Sequence, residues 1–447
     1  MKRLLTLVLV LFIMSGFCFA DAKDKAIKKD ISTVINEFGV DKDSLAISIK
    51  NADNGKQIYS LNDKMLMNPA SVQKVLTTPV VVETLGEDYE FATEIYSRGD
   101  EAIIKLGADP YLNSKILRTL VGKLSKDTTR MYIEANAIDN KVWGEGWQWD
   151  DDMNVLMPRF SSYNLDGNLI KLTIVPTDDT PFAMILNPSK YPLVFFNNVV
   201  KGEKTALDIH RDSIVSANTL VLSGTVARTT TVYIPTADLR RYFNVQLTRI
   251  LEDKNLYFKH SVAESNVKDS DVLVERITHP IGQAVNDVLK NSNNLVSETM
   301  FKLAGGKYCN LKTGSDSAGI KMFNDYCVKN KLDNSRIRIA DASGVSKNNL
   351  VSADFISEFL LVNKNNKVME SLPIPGEGTL ANRLLPIKNN LKAKTGTLSD
   401  ISSIAGYLTT KAGKKLVFCI MINDMKLSAS DKKMLEDYIL REAYLSL

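Results

Sequence analysis

Apolar and polar positions alternate with a period of two in several short runs, and these runs organise the chain. Leu45, Ile47 and Ile49 alternate with smaller or polar residues, Asp53-Asn54-Gly55-Lys56 has turn composition, and Gln57 to Leu61 runs back. This predicts a β-hairpin. A second hairpin is expected from Gly406 to Thr410, through the turn Lys411-Ala412-Gly413-Lys414, to Lys415–Asn423. Helical patterns flank these strands near Lys25 to Phe38 and from about Ser428 to Ser446. Between them, roughly Glu90 to Ile277 reads as a long series of short strands with two helical runs, Leu112 to Leu124 and Ala237 to Glu252. The simplest architecture is α+β: a discontinuous domain made of both chain ends, with one or two β-rich domains looped out of its middle.

The N-terminus changes the picture of where the chain works. Lys2 and Arg3 precede an apolar stretch from Leu4 to Met14, and Cys18 and Ala20 supply small residues ahead of the polar Asp21-Ala22-Lys23-Asp24. Such a pattern is that of a secretory signal peptide, residues 1–20, cut after Ala20. A lipoprotein reading, with Cys18 as first mature residue, places bulky Phe17 where a small residue is wanted. No second stretch is apolar and long enough to span a bilayer. The expected product is exported to the periplasm or cell envelope, with at most peripheral membrane contact.

Roughly 430 residues remain, enough for two or three domains. The formal charge of +4 falls to about +2 without Lys2 and Arg3, which argues against nucleic acid as a partner. Cys309, Cys327 and Cys419 remain, none in a Cys-x-x-Cys pair. Cys419 lies in the apolar run Leu416 to Ile422 and reads as a buried thiol, while a Cys309–Cys327 disulfide stays open in an oxidising compartment.

Candidate chemistry narrows quickly. The three histidines, His210, His260 and His279, form no His-Glu-x-x-His pattern, so no metal site is expected, and no Gly-x-Ser-x-Gly elbow supports a Ser-His-Asp triad. His279 precedes Pro280 and reads as a residue at a helix start. In Asn68-Pro69-Ala70-Ser71-Val72-Gln73-Lys74, by contrast, Pro69 ends an extended segment and an apolar helical run follows. Ser71 and Lys74, three apart, then share a helix face, so the amine can take the hydroxyl proton. Ser265 to Lys268 and Ser430 to Lys433 fit the same template but lie in polar surroundings. Pro79 is expected to kink or end this helix after about two turns.

A lysine base must be neutral near pH 7, against an ordinary value of about 10.4, and burial or a second cation favours that form. Another lysine is therefore expected nearby, and Lys394-Thr395-Gly396-Thr397 supplies it on an apparent edge strand just before the C-terminal hairpin. Its cation and hydroxyls suit a substrate carboxylate, and the Thr397 N–H an oxyanion. Lys312-Thr313-Gly314 repeats the tripeptide in a polar loop. Ser292-Asn293-Asn294 falls between an expected helix of about Pro280 to Lys290 and another from Leu295 to Ala304 that stops at Gly305-Gly306. Ser292 can pass a proton to a leaving amine and Asn294 can hold a substrate amide, although Ser292 as a simple helix cap is an equal reading.

Together, Ser71-x-x-Lys74, Ser292-x-Asn294 and Lys394-Thr395-Gly396 resemble the motif set of penicillin-binding proteins and serine β-lactamases. Closer still, the chain resembles the D-alanyl-D-alanine carboxypeptidase/endopeptidase family of low-mass, class C penicillin-binding proteins. The likeness extends over Met67 to Thr78, Leu106 to Pro110, Trp147 to Asp151, Asp341 to Gly344 and Lys394 to Tyr407. It implies a penicillin-binding, serine β-lactamase-like transpeptidase domain of antiparallel sheet and helices over 21–88 and 271–447. Inserted domains would occupy 89–150 with 231–270, and 151–230. It further implies Ser71 as nucleophile, Lys74 as base, Ser292 and Asn294 as second motif, and Lys394, Thr395, Gly396 and Thr397 as carboxylate clamp. The substrates would be peptidoglycan stem peptides, with β-lactams as covalent inhibitors and no cofactor. An acidic residue near the tryptophan-rich segment would face the stem's free amino group; Asp151 is the candidate, with an exposed loop carboxylate as the alternative. Ala342 and Glu377 depart from the usual glycine and aspartate, which touches loop shape and substrate preference. A β-lactamase or esterase on the same fold, or a non-catalytic envelope-binding protein, are the rival readings.

Overall fold

A computed structural model describes residues 29–212, 214–256 and 263–446, so the leader expected at 1–20 and His260 lie outside the described residues. The chain divides into two compact units. One comprises Met1–Val80, Val285–Ser292 and Phe323–Leu447; the other comprises Val81–Ala284 and Asn293–Met322.

The first unit opens with a helix over 29–38 (α1), followed by β1 (Leu45–Asn51), β2 (Gln57–Leu61) and α2 (Gln73–Leu85). It continues through α3 (Ala353–Val362), β3 (Leu391–Thr397), β4 (Ile401–Thr409), β5 (Lys415–Asn423) and α4 (Ala429–Ser446). The strands form one antiparallel sheet in the order β3-β4-β5-β1-β2. Both terminal hairpins thus join through β5 and β1, with Leu45 opposite Ile422. Central β5 is buried on both faces, which is why Leu416 to Ile422 is continuously apolar instead of alternating. On one face Ile47, Ile404, Phe418 and Ile420 pack with Ile31 and Ile35 of α1 and Leu435 and Ile439 of α4. Each such side chain contributes about 1.5–3 kcal/mol on leaving water. α3 contacts β1 and β5, and the buried Ser48 and Ser357 hydroxyls, 2.8 Å apart, tie it to β1.

The second unit contains a five-stranded sheet in the order Ala263–Glu264, Arg130–Glu134, Glu101–Leu106, Glu90–Arg98, Val272–Pro280. Two three-stranded sheets accompany it, one of Val194–Lys201, Thr219–Val226 and Ala206–Arg211, the other of Thr230–Pro235, Leu169–Val175 and Met184–Leu186. Helices Ser114–Val121 and Leu239–Asp253 share one apolar core with these sheets. Among the described residues no helix is long and apolar enough to cross a membrane.

Several local expectations need correction. α2 runs through Pro79 to Leu85, because burial of Val75, Leu76 and Val80 outweighs a lost hydrogen bond and ring clash worth about 3 kcal/mol. The helix after Ser292 spans Asn294–Tyr308 and does not stop at Gly305-Gly306. Those glycines serve close packing: a Cβ on Gly305 would lie 2.3 Å from the Gly319 nitrogen, and one on Gly306 2.8 Å from the Gly314 Cα. His279 belongs to the strand Val272–Pro280, and its Nδ1 lies 2.7 Å from the buried Asp109 carboxylate. Pro280 ends that strand; the expected helix to Lys290 is a short α-turn, Ile281–Asn286, continued by a π-turn, Asp287–Asn291. Cys309, Cys327 and Cys419 are free thiols, and the last two are buried.

Candidate active site

The sequence Asn68-Pro69-Ala70 builds a strained entry to α2. The Asn68 carboxamide accepts from the Ala70 N–H at 2.8 Å and donates to the Ser346 carbonyl at 2.9 Å. This holds Ala70 at φ 45°, a left-handed conformation that costs a non-glycine residue about 1 kcal/mol or more. Ala70–Val72 then form a 3-10 turn before α2, which leaves Ser71 half-buried at the mouth of the helix. The Ser403 hydroxyl on β4 donates to the Pro69 carbonyl at 2.5 Å and locks this turn against the sheet. β3 crosses the same turn so closely that a Cβ on Gly396 would lie 2.7 Å from the Pro69 oxygen and 2.8 Å from the Ser71 nitrogen. Glycine is the residue that fits there.

Lys74 is fully buried, with its amine 3.0 Å from the Ser71 hydroxyl and 2.5 Å from the Ser343 carbonyl oxygen. One helical turn of spacing therefore produces a direct amine–hydroxyl contact. The Ser343 carbonyl is itself presented by a loop organised around Asp341. That buried carboxylate accepts from the Gly344 N–H at 2.7 Å, the Ser346 N–H at 2.6 Å and the Asn349 amide at 2.7 Å.

Lys394 reaches in from edge strand β3 and is also fully buried, its amine donating to the Ser292 hydroxyl at 3.0 Å and to the Thr395 carbonyl at 2.8 Å. Burial first, and the nearby charge of Lys74 second, hold the Lys394 ammonium well below the usual lysine range. Two amines in one dry site resist carrying two protons, so the cluster is poised to have one lysine neutral. Ser292 closes the π-turn with φ 64° and ψ 33°, again left-handed, and this strain aims its hydroxyl at Lys394. The helix-cap reading of Ser292 is corrected here: Asn293 is the cap, accepting from the Val296 N–H at 3.1 Å.

Thr395 donates its hydroxyl to Thr379 at 2.7 Å, while Thr397 at the end of β3 is exposed. The loop carrying Thr379 is tied to the π-turn by the Lys290–Glu377 ion pair at 2.9 Å. Sequence reasoning singled out Gly376 to Thr379 and Asp341 to Gly344 as family-like segments without assigning roles to Thr379, Ser343 or Asp341. Their contacts are tertiary, and the available signal was glycine-flanked hydroxyls alone.

Of the candidate residues, Ser71, Lys74, Ser292, Lys394, Thr395, Gly396 and Thr397 lie in the first unit, and Asn294 and Asp151 in the second. Asn294 opens its helix and donates its amide to the Leu156 carbonyl at 2.7 Å. Asp151 sits half-buried in a 3-10 turn, Trp149–Met153, whose next residue, Asp152, is ion-paired to Arg159 at 2.7 Å and to Arg211 at 2.6 Å. Asp152 is thereby committed to structure.

The first-unit cluster joins a hydroxyl nucleophile to a buried amine, and a second hydroxyl to a second buried amine. Such an arrangement suits acyl transfer, with proton removal at one serine and proton return at the other.

Comparison with known proteins gives consistent findings. The sequence profile of the D-Ala-D-Ala carboxypeptidase 3 (S13) family matches residues 27–442. The chain is 24% identical to the D-alanyl-D-alanine carboxypeptidase DacB of Haemophilus influenzae, over 84% of each chain. It is 23% identical to the D-alanyl-D-alanine carboxypeptidase of Actinomadura sp. (strain R39), over 89% of this chain and 81% of that one. Its fold matches the crystal structure of penicillin binding protein 4 (dacB) from Haemophilus influenzae with a TM-score of 0.82, at 21% identity, covering 93% of this chain and 99% of the other.

Proposed function

The chain belongs to the D-Ala-D-Ala carboxypeptidase 3 (S13) family, and from that premise we propose that Ser71 is the nucleophile with which it opens the D-alanyl-D-alanine end of peptidoglycan stem peptides. The observation that carries this reading is the 3.0 Å contact between the Lys74 amine and the Ser71 hydroxyl in a fully buried lysine pair.

In the proposed sequence Lys74 removes the Ser71 proton as Oγ attacks the penultimate D-alanine carbonyl. Lys394 and Thr395 hold the terminal carboxylate, with Thr397 at the open end of β3. Ser292, hydrogen-bonded to Lys394, returns a proton to the departing D-alanine nitrogen. Water then attacks the acyl-enzyme carbon, and Ser71 leaves with its proton restored. Asn294 is assigned to the substrate amide and Asp151 to the stem peptide's free amino group. The same steps applied to a D-alanyl cross-link make the enzyme an endopeptidase as well.

β-Lactams are expected to acylate Ser71, because the strained amide presents the same carbonyl and carboxylate; a homologous fold has been solved with a β-lactam bound. Export through residues 1–20 to the periplasm or envelope fits this substrate. The division into a catalytic domain, 21–88 and 271–447, and inserts at 89–150 with 231–270 and at 151–230 is supported by the separate sheets of the second unit.

D-Alanine release from a pentapeptide, measured beside fluorescent-penicillin labelling, tests the reading. Wild type should release D-alanine and label, and Ser71→Ala should do neither. Equal labelling of the two proteins refutes the nucleophile. Digestion of purified cross-linked muropeptides measures the endopeptidase step.

A further inference from the structure

Charge is nearly balanced over the chain, 56 basic against 52 acidic residues, yet one groove of the first unit departs from that balance. It lies at the end of the sheet where β3 begins, β4 ends and β5 begins, and measures about 710 Å³. Lys364, Lys388, Lys392 and Lys415 line it against a single carboxylate, Asp53. Elsewhere exposed lysines meet acids, as Lys201 meets Asp178 at 2.6 Å. Here Lys364 donates to the Ala52 carbonyl at 2.8 Å, and Lys392 lies 5.4 Å from the ring of Tyr407, its cross-strand partner. Neither contact neutralises a charge.

We propose that this groove binds the repeating negative charges of an anionic cell-wall polymer and holds it beside the reaction. The proposal rests on the cell-wall reading above. Four like charges in one concavity repel one another, and a bound polyanion relieves that repulsion. Lys364, Lys388 and Lys415 are exposed, which suits an extended polymer in water and not a small sequestered ligand. Continuity along β3 supplies the link to chemistry: Lys392 precedes Lys394 by two residues, about 7 Å of strand. The shared recognition chemistry is oxyanionic, either stem-peptide carboxylates or phosphodiesters carried by the wall.

Pelleting of the full chain with insoluble peptidoglycan tests it. Each lysine lost near an anionic surface is expected to weaken binding about fivefold at low salt, so Lys388→Gln/Lys415→Gln should bind about 25-fold more weakly. Lys388→Arg/Lys415→Arg should bind as wild type, and added salt should weaken wild type more than the glutamine variant. Stripping phosphodiesters from the wall separates the sources: retained binding assigns carboxylates, and lost binding assigns phosphodiesters. Wild-type pelleting by the glutamine variant overturns the proposal, as does a defect confined to anionic lipid vesicles. Fluorescent-penicillin labelling of the same samples reports Ser71 independently, so a protein that pellets without labelling counts against the catalytic reading and not against the groove.

Discussion

Replacing Lys74 by methionine isolates the amine from its packing. The side chain is fully buried, and methionine fills nearly the same volume, so the core around α2 is kept. Two contacts are lost, 3.0 Å to the Ser71 hydroxyl and 2.5 Å to the Ser343 carbonyl. The second leaves a carbonyl without this donor, which costs about 1–3 kcal/mol if unmet, while removing a buried amine from a two-lysine site acts in the opposite direction. Net stability should therefore change little. Catalysis should not be spared: loss of a positioned general base typically removes a factor of about 10²–10⁴, or ~3–5 kcal/mol of transition-state stabilisation. The second-order rate of acylation by fluorescent penicillin reads this step directly, with thermal unfolding as the control for folding. A folded Lys74→Met protein that acylates within threefold of wild type would refute the assignment of Lys74 as base.

Further outcomes follow from the same geometry. Lys394, depressed by burial and then by Lys74, binds fewer protons folded than unfolded between its lowered value and the ordinary one near 10.4. Its contribution therefore makes stability rise with pH across that window, and Lys394→Met should flatten the rise in denaturant titrations run at successive pH values; an unchanged slope would remove the buried-cation account. Thr379→Val deletes the hydroxyl that accepts from Thr395 at 2.7 Å, and a hydrogen bond worth about 1 kcal/mol predicts a roughly fivefold fall in kcat/KM for a carboxylate-ended pentapeptide with unchanged melting. Gly396→Ala places a Cβ 2.7 Å from the Pro69 oxygen and 2.8 Å from the Ser71 nitrogen, so acylation should fall by at least about tenfold, since small displacements from reactive geometry are costly. Wild-type labelling kinetics in that variant would show that β3 can move away from the nucleophile turn without penalty.

What the chain discloses before folding is whatever is local. The terminal hairpins were legible because alternating side chains and glycine turns act over a few residues, and the Ser71–Lys74 contact because three residues make nearly one helical turn. The pairing of β1 with β5 was not legible, since nothing local says that Leu45 will face Ile422. Local rules also failed where packing opposed them. Gly305-Gly306 looked like a helix stop, but the absence of Cβ atoms there serves contact with the Gly314 and Gly319 backbone. Pro79 looked like a break, and buried aliphatic neighbours carried the helix past it. The candidate site contains both kinds of information. Lys74 is placed by its own helix, but Lys394, more than three hundred residues later, is placed by β3 at the sheet edge, and the charge of Lys74 reaches it there. Pairing β1 with β5 brings the two chain ends into one sheet, so the topology that periodicity does not reveal sets the electrostatics on which a neutral lysine base depends.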